Sequence, residues 1–101
     1  LIYPELARQQ IEGCIVFGLA QALGAVTDFE SGMPTARRLR DIDLPKLVDV
    51  PDIKVEFVRN DAPPGGVTEL GVPAVAPAIA NALFSASGIR LRELPLLSKG
   101  L

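Results

Sequence analysis

The 101-residue sequence has no histidine and a single cysteine, Cys14. Without histidine, no Ser-His-Asp triad and no Cys-His pair can be assembled within the chain. With one cysteine, there is no internal disulfide and no cysteine-rich zinc site. Cys14 lies in an apolar stretch, where a free thiol usually serves as a small hydrophobe. An excess of charge is also missing. Ten basic residues face twelve acidic ones, for a net charge of −2, so no broad field attracts nucleic acid. Arg37, Arg38 and Arg40 form the basic cluster, and Asp41 and Asp43 neutralise it at once, which reads as a solvated face. The longest apolar run, CIVFGLAQALGAV at 14–26, is too short for a membrane span and is interrupted by Gln21.

Apolar residues are plentiful instead: 49% of the chain, against 22% charged. A chain this small must leave much of its surface in water, and that balance is greasy for it. The expectation is one domain, 1–101, that is a piece of something larger, with apolar surface meant for neighbouring protein. A start at Leu1, without methionine, fits a fragment or a processed product.

Residues 5–23 read as a helix. Ile11, Cys14, Ile15, Gly18, Leu19 and Ala22 follow the spacing of one buried face, and Val16, Phe17, Ala20 and Leu23 add apolar residues on other sides. Such a helix is expected to be buried on more than one face. Pro4 can open it and Gly24 can end it. Residues 25–30 and 35–42 are expected as two strands around an SGMP turn. DLPKLVDVPD, with two prolines, reads as extended loop. IKVEFVRN alternates, with Ile53, Val55 and Phe57 on one side, and is the best strand candidate. DAPPGG is a loop. A second helix is predicted over 72–87, with Val72, Val75, Ile79 and Leu83 as its core stripe and Gly88 as its cap. Pro73 fits its first turn, whereas Pro77 sits within that turn or marks an irregular entry. IRLREL reads as a final strand. The fold class is α+β: two helices on one face of a small mixed or antiparallel sheet.

Two residues could carry chemistry. Glu69 follows a Pro-Pro-Gly-Gly turn and precedes a helix, whose free N–H groups carry partial positive charge. It is either a surface acid on a connector or a general base held in a pocket, and the residues alone favour the first. Gln10 has Gly13 one turn further on, so a ligand could lie against bare backbone beside an amide able to donate and accept. By itself it reads as a solvated glutamine. PPGGVT is not a phosphate loop, since the completing lysine is absent.

QIEGCIVFGLAQALG at 10–24 together with DAPPGGVTELGVPAVAPAIANALFSASGIRLRELPL at 61–96 resembles the C-terminal end of a known subunit type. That type is the molybdenum-binding large subunit of the xanthine oxidase family of molybdenum hydroxylases, in its isoquinoline oxidoreductase and aldehyde dehydrogenase branch. The resemblance implies that Gln10 contacts the molybdenum cofactor and that Glu69 lies beside the metal as base. Val67 and Thr68 are then cofactor-binding neighbours, and no residue of this chain is a metal ligand. It further implies hydroxylation of an aldehyde or N-heterocycle with oxygen from water, and electron exit through a two-iron two-sulfur subunit. The cofactor implied is the cytosine dinucleotide form of molybdopterin. The other partner implied is the remainder of the large subunit, in a bacterial cytoplasm or periplasm. Thr68 stands where the family usually has glycine, and Leu70 where it often has proline. If that glycine position needs positive φ, a β-branched threonine is strained there.

The isolated chain is expected to hold no cofactor and to be inactive, since it cannot enclose a pterin dinucleotide. The alternative from a different class is a free-standing structural or partner-binding module, in which Glu69 and Gln10 are ordinary surface residues.

Overall fold

The computed structural model describes residues 2–99. Helix α1 runs Pro4–Leu23, with proline in its first turn and Gly24 at its C-terminal cap, whose N–H donates to the Ala20 carbonyl at 3.2 Å. Helix α2 runs Val72–Ser87. It continues through Pro77, one turn beyond Pro73, although proline offers no N–H to the carbonyl four residues back. Gly88 ends it at φ 75°, and its N–H donates to Phe84 at 2.7 Å. A left-handed cap of that kind favours glycine.

The two helices pack on each other. Leu19, Ala22 and Val75 form the core, with Ile15, Leu23, Ala76 and Ile79 packed around it. Gly18 permits the close crossing: a Cβ there would stand 2.8 Å from the Val72 carbonyl oxygen and 2.8 Å from Val75 Cγ2. A 3₁₀ turn at Leu96–Lys99 returns the chain to α1 and buries Leu96. Burying a side chain such as Leu19 or Leu96 contributes about 2 kcal/mol, so this small contact fixes the helix pair and the loop that enters α2.

Strand β1 (Phe29–Glu30) pairs antiparallel with β2 (Met33–Pro34), Phe29 opposite Pro34 and Glu30 opposite Met33. Ser31 (φ 51°) and Gly32 (φ 78°) make the two-residue turn, and positive φ at both positions matches the right-handed strand twist. The α+β class holds, with two helices and a two-stranded antiparallel sheet.

Three expected strands take other forms. Met33 and Pro34 lie in β2 rather than in the turn, and residues 35–42 are not a strand. There the Asp41 carboxylate accepts the Arg37 and Arg38 amides at 3.2 and 3.1 Å and closes a 3₁₀ turn at Leu39–Asp41; the side chain outcompetes a ladder. Asp49 does the same for Lys46 at 2.8 Å, placing a 3₁₀ turn inside the expected loop. Residues 53–60 form no ladder, yet their burial alternates: Ile53, Val55 and Phe57 are half-buried, Lys54, Glu56 and Val58 exposed. Residues 89–94 are irregular.

The chain is more open than a domain of its size. Its radius of gyration is 16.4 Å, against about 13 Å for a compact chain of this length. Its accessible surface is 7983 Å², against roughly 5500 Å² for a compact 10.7 kDa monomer. Helix α1, expected to be covered on several faces, buries Cys14, Gly18, Leu19 and Ala22 and leaves Phe17 64% exposed. Of the apolar residues expected on its other sides, Val16, Ala20 and Leu23 are half-buried, and Phe17 is the one left exposed. Among the described residues no helix is long and apolar enough to cross a membrane.

Candidate functional site

Helical spacing sets Gln10, Gly13, Cys14, Phe17 and Gln21 along one stripe of α1. The loop entering α2 lies across from it, and Thr68, Glu69 and Val72 supply that side. Together these residues line a cleft of about 360 Å³. Gln10 and Glu69, 59 positions apart in sequence, thus share one surface.

The loop is fastened to α1 chiefly at one oxygen. The Gln10 amide donates to the Thr68 carbonyl at 2.9 Å, and the Cys14 thiol donates to the same carbonyl at 2.9 Å. The thiol also lies 3.8 Å from the Val67 carbonyl. A peptide plane held by two donors cannot rotate freely, so the link into Glu69 has a set orientation. Two residues on, Gly71 rests on the helix; a Cβ there would meet Ile15 Cγ1 at 3.2 Å and Cys14 Cβ at 3.3 Å. The Glu69 carbonyl accepts the Val72 amide at 3.2 Å, which ties the acid's own backbone to the first turn of α2.

Glu69 is exposed, and among the described residues no hydrogen bond or ion pair engages its carboxylate. Gln10 is exposed as well, and its amide keeps an oxygen and one N–H for another group. A Cβ on Gly13 would meet nothing within 4 Å, so bare backbone faces the opening. Val67 is half-buried beside the cleft but does not line it. Thr68 does not have positive φ, so the threonine is unstrained where strain was a concern. Gly65 and Gly66 lie in open space and also avoid positive φ.

Sequence reasoning left Cys14, Phe17 and Gln21 out of the site. The signal was present for the latter two, at seven and eleven positions from Gln10 on one helix face. For Cys14 the reading as a small hydrophobe accounts for its burial and misses its bond to Thr68. Among the described residues no group of three or more His, Cys, Asp and Glu is placed to hold a metal ion. The cleft instead offers two side-chain amides, Gln10 and Gln21, one carboxylate unengaged among the described residues, and exposed helix backbone. That set fits one wall of a site for a flat, polar-edged group and does not enclose it.

Known proteins are similar to this sequence. The chain is 36% identical over 96 residues to the membrane-bound aldehyde dehydrogenase [pyrroloquinoline-quinone] of Gluconacetobacter polyoxogenes, covering 95% of this chain and 12% of that protein. It is 34% identical over 93 residues to isoquinoline 1-oxidoreductase subunit beta of Brevundimonas diminuta, covering 92% and 12%. It is 32% identical over 104 residues to the aldehyde oxidoreductase molybdenum-binding subunit PaoC of Escherichia coli (strain K12), covering 95% and 14%. No family model matches the chain. The relatives are oxidoreductase subunits of the xanthine oxidase family of molybdenum enzymes, and the chain is homologous to a segment of them. It spans about an eighth of the length of the curated relatives it matches.

Proposed function

We propose that the chain, a single domain over 1–101, is the part of a molybdenum hydroxylase large subunit that presents the general base Glu69 and the cofactor contact Gln10. The observation that carries this reading is their placement on one open cleft, with the peptide into Glu69 clamped by the Gln10 side chain. Homology over nearly the whole chain to molybdenum-binding subunits supports it.

When bound, a molybdenum cofactor supplies the redox centre that takes two electrons from the substrate. The chain's own residues then have separable tasks. The Glu69 carboxylate, unengaged among the described residues, accepts a proton at one of its oxygens. The Gln10 amide oxygen and its second N–H hold a donor-acceptor edge of the cofactor. Thr68 and Val67 form the backbone that sets the distance between them. Phe17 gives the cleft an apolar rim that sheds water. The substrate class is an aldehyde or N-heterocycle, the cofactor the cytosine dinucleotide form, and the electron-accepting partner a two-iron two-sulfur subunit. Turnover requires the rest of the subunit, because this wall alone leaves a cofactor open to solvent.

The relative named for pyrroloquinoline quinone supports a second reading, in which the same wall faces a quinone. Metal analysis of the purified full-length subunit separates the two: stoichiometric molybdenum is expected, and a quinone without molybdenum overturns the first. In that enzyme Glu69→Gln keeps size and removes the base, so kcat should fall by about 10²–10⁴-fold with metal content retained. Unchanged turnover would falsify the base assignment.

A further inference from the structure

We infer that Ile53–Val58 is a β-strand whose hydrogen-bonding partner is a strand from the rest of the parent subunit, which makes this segment the docking edge of the chain. The inference rests on the proposed placement of the chain within a longer subunit. Its local basis is independent of any cofactor.

The side chains already behave as a strand's. Ile53, Val55 and Phe57 are half covered by the chain, and Lys54, Glu56 and Val58 point outward, with Val58 88% exposed. This is the period-2 pattern of a strand with one face on a core. The backbone is what lacks a partner. Among the described residues, no backbone hydrogen bond involves positions 53–58. Pro51 precedes the run and Pro63 follows it, so every amide between them can donate. An extended run with free N–H and C=O groups on both edges is a template for strand addition.

The surface area decides the occupant. The chain exposes roughly 2500 Å² more than a compact monomer of its mass. A standard dimer contact covers about 800 Å² per partner. One face-to-face contact with a second copy therefore leaves most of the excess bare. A surrounding chain does not, and the relatives carry some seven-eighths of their length outside the matched segment. Next to the run, a groove of about 930 Å³ lies between Pro4 and the 57–65 loop and prolongs the same open side.

The test is hydrogen exchange on the full-length subunit, read on peptides covering 52–59 over a hundredfold range of protein concentration. Exchange slower than that of an unstructured peptide by about 100-fold or more, independent of concentration, is the expected result. Exchange at the unstructured rate in a folded subunit overturns the strand. Protection that grows with concentration overturns the own-chain partner in favour of a second copy. Successive amides of a strand face opposite edges, so one of Val55→Pro and Glu56→Pro must remove a ladder donor and should abolish protection across 53–58 while the matching alanine variant retains it; protection surviving both prolines also overturns the inference. A gene product ending near this length would defeat the proposed function, whereas a longer subunit with an unprotected 53–58 defeats only the strand.

Discussion

Replacing Gly18 by alanine tests the helix crossing that holds the site. The new Cβ would lie 2.8 Å from the Val72 carbonyl oxygen and 2.8 Å from Val75 Cγ2. Neither neighbour can swing away: the first is backbone, and the second belongs to a β-branched side chain with a stiff χ1. The helices must therefore separate by several tenths of an ångström. Such overpacking costs about 1–3 kcal/mol, and the helix-propensity gain of alanine over glycine returns about 1 kcal/mol. A net loss of about 1 kcal/mol corresponds to roughly fivefold faster exchange of amides in α1 and α2. Gly13→Ala is the matched control, since its Cβ meets nothing within 4 Å. It receives the propensity gain alone and should slow exchange by a similar factor. Because Val72 is a wall of the cleft, Gly18→Ala should also lower molybdenum content or kcat in the full-length subunit. If Gly18→Ala slowed exchange as Gly13→Ala does, the close crossing argued from the structure would be wrong.

Gln10→Ala removes one of two donors to the Thr68 carbonyl, a loss of about 1 kcal/mol, so molybdenum retention should fall by several-fold with Cys14 still in place. Gln10→Glu should be worse than alanine, because an ionised carboxylate cannot donate to that carbonyl; equal metal content in the two variants would argue against the clamp. Near the start of α1, Arg8 holds the Glu5 carboxyl below its ordinary value of 4.5, with a smaller contribution from Gln9. A depressed carboxylate stabilises the fold above its unfolded pKa, and that support is lost as pH falls through the lower folded value. Acid titration of helicity at α1 should show a loss below pH 4.5 that Glu5→Gln removes; identical titrations would dismiss this local support.

The helices were legible because their signals are local. Proline at the first turn, glycine after the last, and apolar spacing fixed 72–87 to the residue and placed α1 within a residue. The convergence of Gln10 and Glu69 was legible only through resemblance, since nothing in the 58 intervening positions predicts that a loop returns to one helix stripe. Strands were read less well, for a physical reason. A strand is defined by a neighbour, and the alternation at 53–58 specifies a face without supplying the partner. At 35–42 the apolar pattern was weak, and Asp41 took the amides that a ladder would have needed. Cys14 escaped notice because burial and hydrogen bonding are read from composition as opposites, whereas a thiol can do both.

The bond from the Val72 amide to the Glu69 carbonyl makes the acid an extension of α2. A helix of sixteen residues is a rod about 24 Å long, so a tilt or slide imposed at its distant tip moves the carboxylate as well. At that tip Arg90 stacks over the Phe84 ring and binds Asn81. A displacement of that corner would therefore change the reach of the acid without touching the cleft.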